Sequence, residues 1–282
     1  MQKLILSLII ISSINLLASD EDNDENYIDY QAFLDSPIKE VTDDTEILEQ
    51  LYEAVETGTL GDLATLLDAY PVECEHFLQT HHKPFTRTPV LHVAIVRGNK
   101  EIIRALIEHN ANINLTDQTF IGNDNTPLHY AAQLKKDNRF QICHILIAQG
   151  AHVDIKNRLG KTPLHLACEH YDDPHVPKLL IYHKAEIESQ TKQGLTPLHI
   201  AVTRGHFEIV KLLLNCNATY QSIDYRNRTP MSIAEENKRK HPNISAYGCI
   251  LAYLKAHDTI HEIFNIDEPA TKKRRLESNT PN

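Results

Sequence analysis

A short motif that recurs along the chain constrains its fold more than any other feature of the sequence. The letters Thr-Pro-Leu-His-x-Ala begin at Thr126, Thr162 and Thr196, and weaker copies begin at Thr88 and Thr229. The motif histidines are spaced 37, 36 and 34 residues apart, at His92, His129, His165 and His199. A period of this length is typical of proteins built from stacked structural repeats.

The copy that begins at Thr196 predicts two short helices joined by a tight turn. Thr196 is a favoured N-cap residue, and Pro197 fits the first helical position because its missing N–H is not needed there. Gly205 predicts the turn, and an apolar stripe that includes Ile209 and Leu213 predicts the second helix. Neither helix is long enough to be stable alone, so the unit requires neighbouring copies to pack against.

The ends of the second helices share a further signal. The residue that precedes an alanine there is Asn110, Gly150, Lys184 or Asn217. Asparagine and glycine are typical of a left-handed helix stop, whereas Lys184 fits that conformation less well.

These motifs and their period resemble the ankyrin-repeat family, and the resemblance covers roughly residues 45–255. It implies an all-α fold, an ankyrin-repeat solenoid of about six helix-turn-helix repeats with connecting β-hairpin loops. The repeat domain is expected over 45–256, with repeats at about 45–70, 84–115, 122–155, 158–189, 192–222 and 225–255.

The two terminal repeats depart from the motif. The first lacks it altogether, and the sixth carries Ser232 in place of the motif histidine. Terminal repeats of stacked folds are atypical because one side faces water, so we interpret these two as caps. Residues 71–87 predict a long loop between the first and second repeats.

The segments outside the repeats have distinct compositions. Residues 1–19 predict a secretory signal peptide, because Lys3 precedes a short apolar run and Ala18 supplies a small residue for cleavage. Residues 20–44 are acidic and predict a disordered linker. Residues 257–282 predict a disordered tail, in which a basic cluster resembles a nuclear-import signal: Lys272, Lys273, Arg274 and Arg275.

Charge and cysteine content narrow the function classes. The net charge of −10 argues against general nucleic-acid binding. The cysteines are odd in number and lack the paired spacing of a metal site or a disulfide framework. We therefore expect five free buried thiols, at Cys74, Cys143, Cys168, Cys216 and Cys249.

Seventeen histidines suggest a metal site, but the motif histidines have a better explanation. The family resemblance implies that they lie at helix starts and hydrogen-bond backbone groups within and between repeats. No phosphate-binding glycine loop, nucleophile elbow or HExxH motif is present in the sequence. We expect no catalytic residues, no cofactor and no metal. An enzyme or metal protein that uses the repeats as a scaffold remains the alternative from another class.

Basic and polar residues gather where the resemblance implies partner docking, on the hairpin tips and the exposed ends of the first helices. Arginine and tyrosine are also enriched at binding hot spots. We expect Arg226 and Arg228 to be exposed. The expected partner-binding residues are Arg158, Lys161, Lys192, Gln193, Thr203, Arg204, Tyr225, Arg226 and Arg228.

The function that follows is a protein–protein interaction module on an exported chain. Its expected partner is an acidic protein, and the chain is expected to be a monomer with no membrane span after signal cleavage. Export by a bacterium, with a host cell as one destination, would reconcile the signal peptide with the basic tail cluster. A structural component of the periplasm is the alternative.

Overall fold

The computed structural model describes residues 43–80, 88–117, 123–135 and 138–264. These residues belong to the second of two units of the chain, Thr42–Asn282. The predicted signal peptide, most of the predicted acidic linker and the basic cluster Lys272–Arg275 lie outside the described residues.

Thirteen α-helices and no strand are formed by the described residues. In chain order the helices are α1 (Asp43–Thr57), α2 (Leu60–Ala69), α3 (Pro71–Thr80), α4 (Val90–Arg97), α5 (Lys100–Glu108), α6 (Pro127–Gln133), α7 (Arg139–Ala148), α8 (Pro163–His170), α9 (His175–Tyr182), α10 (Pro197–Arg204), α11 (Phe207–Asn215), α12 (Pro230–Lys240) and α13 (Ser245–Phe264). The predicted all-α repeat solenoid is confirmed.

The helices form two stacked rows. The first helices of successive repeats, α1, α4, α6, α8, α10 and α12, each pack against the next. In the other row, whose members we call the outer helices, α2 contacts α5, α7 contacts α9, and α11 contacts α13. One hydrophobic cluster extends along the stack from Ile47 to Leu254, as expected for repeats that bury their apolar faces only against neighbours.

The Thr-Pro motif starts each first helix as its chemistry predicts. At α10 the Thr196 hydroxyl accepts from the backbone N–H of His199, while Nδ1 of His199 accepts from the backbone N–H of Thr196 at 3.3 Å. The same reciprocal cap begins α6 and α8. In α12 the hydroxyl of Ser232 takes the role of the imidazole and accepts from Thr229 N at 2.9 Å. Helix α4 begins differently, with Pro89 as its N-cap.

The predicted left-handed stops are confirmed at all four positions. The φ angles are 63° at Asn110, 92° at Gly150, 69° at Lys184 and 62° at Asn217. Lys184 therefore adopts the conformation that it was expected to fit poorly. The backbone geometry of the repeat determines the left-handed turn there, at a cost of roughly 1–2 kcal/mol for a residue with a Cβ.

Two segments differ from the sequence expectation. The first ten residues of the predicted loop 71–87 form helix α3, which buries Cys74, Phe77 and Leu78. Those three positions are spaced by three and four residues, so they lie on one face of a helix and bury it against the core. Helix α13 continues past residue 256 into the predicted tail and ends at Phe264. No helix in the described ranges is both long enough and apolar enough to cross a membrane.

Candidate protein-docking surface

The motif histidines are structural, as predicted. All four are fully buried, and the Nε2 of each donates to a backbone carbonyl of the next repeat. The acceptors are Asn125 for His92 at 3.0 Å, Lys161 for His129 at 3.0 Å, Leu195 for His165 at 3.1 Å and Arg228 for His199 at 3.1 Å. The imidazoles of His129, His165 and His199 thus join their own helix starts to the following hairpin, and His92 reaches the next repeat through Nε2.

The electrostatics of these imidazoles fit a supporting role. Burial lowers the pKa of His129 and of His165 to about 4, and it also lowers the pKa of His199. These three imidazoles are therefore neutral at neutral pH. A neutral ring fits their contacts, because Nε2 must carry a proton to donate to a carbonyl while Nδ1 must lack one to accept from a backbone N–H. Within the described ranges, no three His, Cys, Asp or Glu residues come together in a group that could hold a metal ion.

A polar side chain organises the hairpin of the fourth repeat and that of the sixth. In the fourth repeat Oδ1 of Asn157 accepts from the backbone N–H of Leu159 at 3.0 Å and of Lys161 at 2.9 Å. In the sixth repeat Oδ1 of Asp224 accepts from Arg226 N and Arg228 N, both at 2.8 Å. These bonds fix the tip in the way that an Asx-turn does, so the residues at the tip have a defined position.

Successive hairpin tips are hydrogen-bonded to each other. Lys192 N donates to the carbonyl of Leu159 at 3.0 Å, and Tyr225 N donates to the carbonyl of Gln193 at 3.1 Å. Gly194 permits this approach, because it has a φ of +76° and an added Cβ would lie 2.6 Å from the Tyr225 ring. The tips of repeats four, five and six therefore form one continuous, fixed row.

Four of the six predicted cationic residues are already paired with carboxylates of this chain. Arg158 contacts Asp124 at 3.0 Å on the exposed surface. Lys161 and Arg204 both bind Glu169, at 2.6 and 2.8 Å. Arg228 binds Asp224 at 2.8 Å and lies 4.0 Å from Glu236. The basic edge that the sequence predicts is therefore largely neutralised by its own neighbours.

The expected exposure of Arg228 is wrong, while that of Arg226 is confirmed. Arg228 is half-buried, since its side chain is held against Asp224, which is 3% exposed. Burial would raise the pKa of Asp224, but its bonds with Arg228 and with the backbone hold the pKa below the ordinary range. Asp224 thus stays ionised, and Arg228 serves mainly to neutralise it.

Two cations remain available to a partner. Lys192 and Arg226 are exposed, and neither has an acidic side chain within ion-pair distance in the described part of the chain. Gln193, which follows Lys192 in the chain, is also exposed, and the side chain of Tyr225, which precedes Arg226, is 72% exposed. These residues form the tips of repeats five and six.

The other predicted docking residue lies on a first helix. Thr203 is exposed near the end of α10, where its hydroxyl donates to the His199 carbonyl at 2.8 Å. Arg204 is next to it, with its guanidinium on Glu169. Thr203 and Arg204 are thus on the helix row rather than on the hairpin tips.

Sequence reasoning did not find Arg139, a buried cation at the start of α7. It is 4% exposed, and its guanidinium donates to the carbonyls of Ala132 at 2.9 Å and Ala167 at 3.2 Å. Asp173 lies 3.6 Å away. These three partners come from separate segments of the chain, so the sequence around Arg139 does not indicate that its side chain is buried. Burial lowers the pKa of Arg139, and its place at two helix C-termini is stabilising for a cation.

The cysteine expectation holds for three residues of five. Cys74, Cys143 and Cys168 are buried, whereas Cys216 is half-buried and Cys249 is exposed. Burial raises the pKa of Cys74 to about 11 and that of Cys143 to about 12, so these thiols are protonated and unreactive. Cys249 lies on the solvent-facing side of α13. The expectation that it is buried was wrong, because the spacing of apolar residues around it did not show which side of this helix faces the core.

The two helix rows and the fixed hairpin tips define a helical repeat protein whose exposed tips face solvent. Comparison with protein families identifies the repeats: the model of "Ankyrin repeats (3 copies)" matches residues 51–157, 91–189, 135–225 and 164–247. The chain therefore belongs to the ankyrin-repeat family. Proteins of this fold are in general non-enzymatic interaction scaffolds, and the chain is a protein–protein interaction module.

Individual relatives share the repeats only. An ankyrin repeat protein of fowlpox virus (strain NVSL) is 33% identical over 95 residues, which is 34% of this chain and 12% of the viral protein. The nuclear factor NF-kappa-B p105 subunit of Gallus gallus is 29% identical over 57% of this chain and 16% of its own length. An ankyrin repeat protein of Rickettsia bellii (strain RML369-C) is 37% identical over 27% of this chain and 45% of its own length. The chain thus spans less than half of each relative.

Proposed function

We propose that this ankyrin-repeat protein docks an acidic partner protein on the hairpin tips of repeats four to six, together with the adjoining ends of the first helices. The observation that carries the proposal is the pair of exposed cations, Lys192 and Arg226, left without carboxylate partners among the described residues of an acidic chain. Local charge opposite to the global charge favours a partner of negative charge and speeds its encounter.

The fixed tips support the proposal energetically. Because the tips of repeats four to six are hydrogen-bonded to one another, their backbone loses little conformational freedom when a partner binds. Tyr225 adds a large exposed aromatic side chain of the kind that dominates binding energy at interfaces.

Photo-crosslinking from two exposed tyrosines tests this placement. Benzoylphenylalanine replaces either Tyr225 on a hairpin tip or Tyr182 at the end of the outer helix α9, which are 72% and 77% exposed. We expect a partner protein to crosslink to the full-length chain from position 225 and not from position 182. Crosslinking of the same partner from position 182 alone would place docking on the outer helices.

Export is a separate part of the proposal and rests on the sequence of residues 1–19 alone. We propose that the signal peptide is removed and that the exported chain begins near Asp20. Intact-mass measurement of protein recovered outside the producing cytoplasm tests this: retention of residues 1–17 would contradict cleavage. Cell fractionation distinguishes release from residence in the periplasm as a structural component.

A further inference from the structure

A small pocket lies between the hairpin tips of repeats five and six. Its volume is about 170 Å³, and its walls include Lys192, Tyr225, Arg226, Arg228 and Asp224. The two exposed cations that lack carboxylate partners in the described part of the chain thus line the same pocket. The paired cations Arg158, Lys161 and Arg204 are not among its lining residues.

We propose that this pocket binds one carboxylate of an acidic side chain in the partner, within a peptide segment that also carries an apolar residue. The inference rests on the proposed function, because it assigns the partner chemistry of the same surface. It goes further by naming a single pocket, a single anionic group and the neighbouring contact.

The charge of the pocket favours an anion. Three cations and the ionised Asp224 leave an excess of two positive charges among the lining residues. Glu236 lies 4.0 Å from Arg228 but is paired with Lys240 at 2.7 Å, so it does not lower this excess. Lys192 and Arg226 therefore both attract an entering anion, and a carboxylate is the anionic group that an unmodified acidic protein supplies.

The pocket is preorganised for that group. Asp224 holds the backbone of Arg226 and Arg228 at 2.8 Å, and its other oxygen accepts from Nε of Arg228 at 2.9 Å. The opposite wall is tied in by the bond between Tyr225 N and the Gln193 carbonyl. The backbone of neither wall has to reorganise when a carboxylate enters, so the ordering cost is confined to the exposed side chains of Lys192 and Arg226.

Apolar surface flanks the pocket on both sides. Tyr225 is 72% exposed at its edge, and Leu159, on the preceding tip, is 44% exposed. The carbonyl of Leu159 accepts from Lys192 N, so this leucine is directly adjacent to one of the two cations that line the pocket without a carboxylate partner among the described residues. Basic and apolar groups therefore adjoin along the row of tips. A segment in which an acidic residue is next to an apolar one complements them.

Selection from a random twelve-residue peptide display library tests the pocket with the full-length chain. The comparison is between wild type, the double variant Lys192→Gln/Arg226→Gln, and a control, Arg104→Gln/Lys178→Gln, which removes two exposed cations from the outer helices α5 and α9. We expect wild type and control to enrich peptides with Asp or Glu beside an apolar residue. The pocket variant should lose that enrichment. Equal enrichment by the pocket variant, or no acidic enrichment by wild type, would overturn the proposal.

Synthetic versions of a selected peptide identify the anionic group. By fluorescence anisotropy, replacing its acidic residue with Gln should weaken binding to wild type at least tenfold. Tighter binding of the phosphoserine version than of the Glu version would overturn the carboxylate assignment. Failure here leaves the proposed function testable, because crosslinking of a partner from position 225 does not depend on how a single pocket is filled.

Discussion

The imidazole Nε2 of His165 lies 3.1 Å from the backbone carbonyl oxygen of Leu195, thirty residues further along the chain. The same ring accepts from the backbone N–H of Thr162 through Nδ1 at 3.1 Å. One side chain therefore satisfies a helix start in the fourth repeat and a hairpin in the fifth. It also fixes the hairpin that presents Lys192 and Gln193.

The His165 contacts predict a large loss of stability on truncation. His165→Ala should destabilise the protein by about 3 kcal/mol, because a buried carbonyl and a buried N–H lose their partners. Urea unfolding of the variant measures the loss. The exposed His152 provides the control, and His152→Ala should change stability by less than about 0.5 kcal/mol. Similar losses for the two variants would show that the interrepeat bond contributes little.

Stability should fall as the pH drops from about 6.5 to 4. The unfolded chain protonates its histidines from about pH 6.5 downward, whereas the folded chain protonates the buried His129 and His165 only near pH 4. The unfolded state then binds more protons, which favours unfolding. Asp117 acts in the opposite sense, because burial raises its pKa to about 6 and the folded state gains that proton first. The net cost at pH 5 relative to pH 7 is roughly 2 kcal/mol.

Urea midpoints at pH 7, 6 and 5 measure this dependence. His165→Gln removes one of the two imidazoles whose pKa is lowered to about 4, so the urea midpoint should depend less steeply on pH. Asp117→Asn removes the opposing carboxyl and should steepen it. A midpoint that rises on acidification in this range would contradict the account of the histidines as buried neutral groups.

The contact between successive tips predicts a strong effect at Gly194. Gly194→Ala should cost about 2 kcal/mol, because φ is +76° and the new Cβ would lie 2.6 Å from the Tyr225 ring. Gly248 in α13 is the matched control, since an added Cβ there meets nothing within 4 Å. Gly248→Ala should stabilise by about 0.5–1 kcal/mol. Thermal unfolding compares them, and an unchanged midpoint for Gly194→Ala would exclude a tight contact between tips.

The parts of the fold that depend on local chemistry were predictable. Thr196, Pro197 and His199 act within one helical turn, so a four-residue stretch predicts the cap and the helix start. The left-handed turn at Asn110 likewise had a local signal, because asparagine is typical of this conformation. Helix α3 had a local signal too, in the spacing of Cys74 and Phe77, but the missing Thr-Pro motif favoured a loop.

The site depends on contacts that sequence spacing does not show. Glu169 binds Arg204, which is thirty-five residues further along the chain. Burial alone would raise the pKa of Glu169, but Lys161 and Arg204 hold that pKa below its ordinary value. The sequence predicted that Lys161 and Arg204 are both available to a partner, because sequence spacing does not show that Glu169 binds both of them. The pairing of Arg228 with Asp224, four residues apart in one hairpin, was within reach of a local analysis.

The affinity of the crosslinked partner for charge-reversed variants tests the docking surface most directly. Lys192→Glu/Arg226→Glu is compared with Arg104→Glu/Lys178→Glu, which makes the same change of charge on exposed residues of the outer helices. We expect the tip reversal to weaken binding at least tenfold at low salt, the control to change it less than twofold, and added salt to weaken the wild-type complex. Wild-type affinity in the tip reversal at both low and high salt would contradict docking on the tips of repeats five and six.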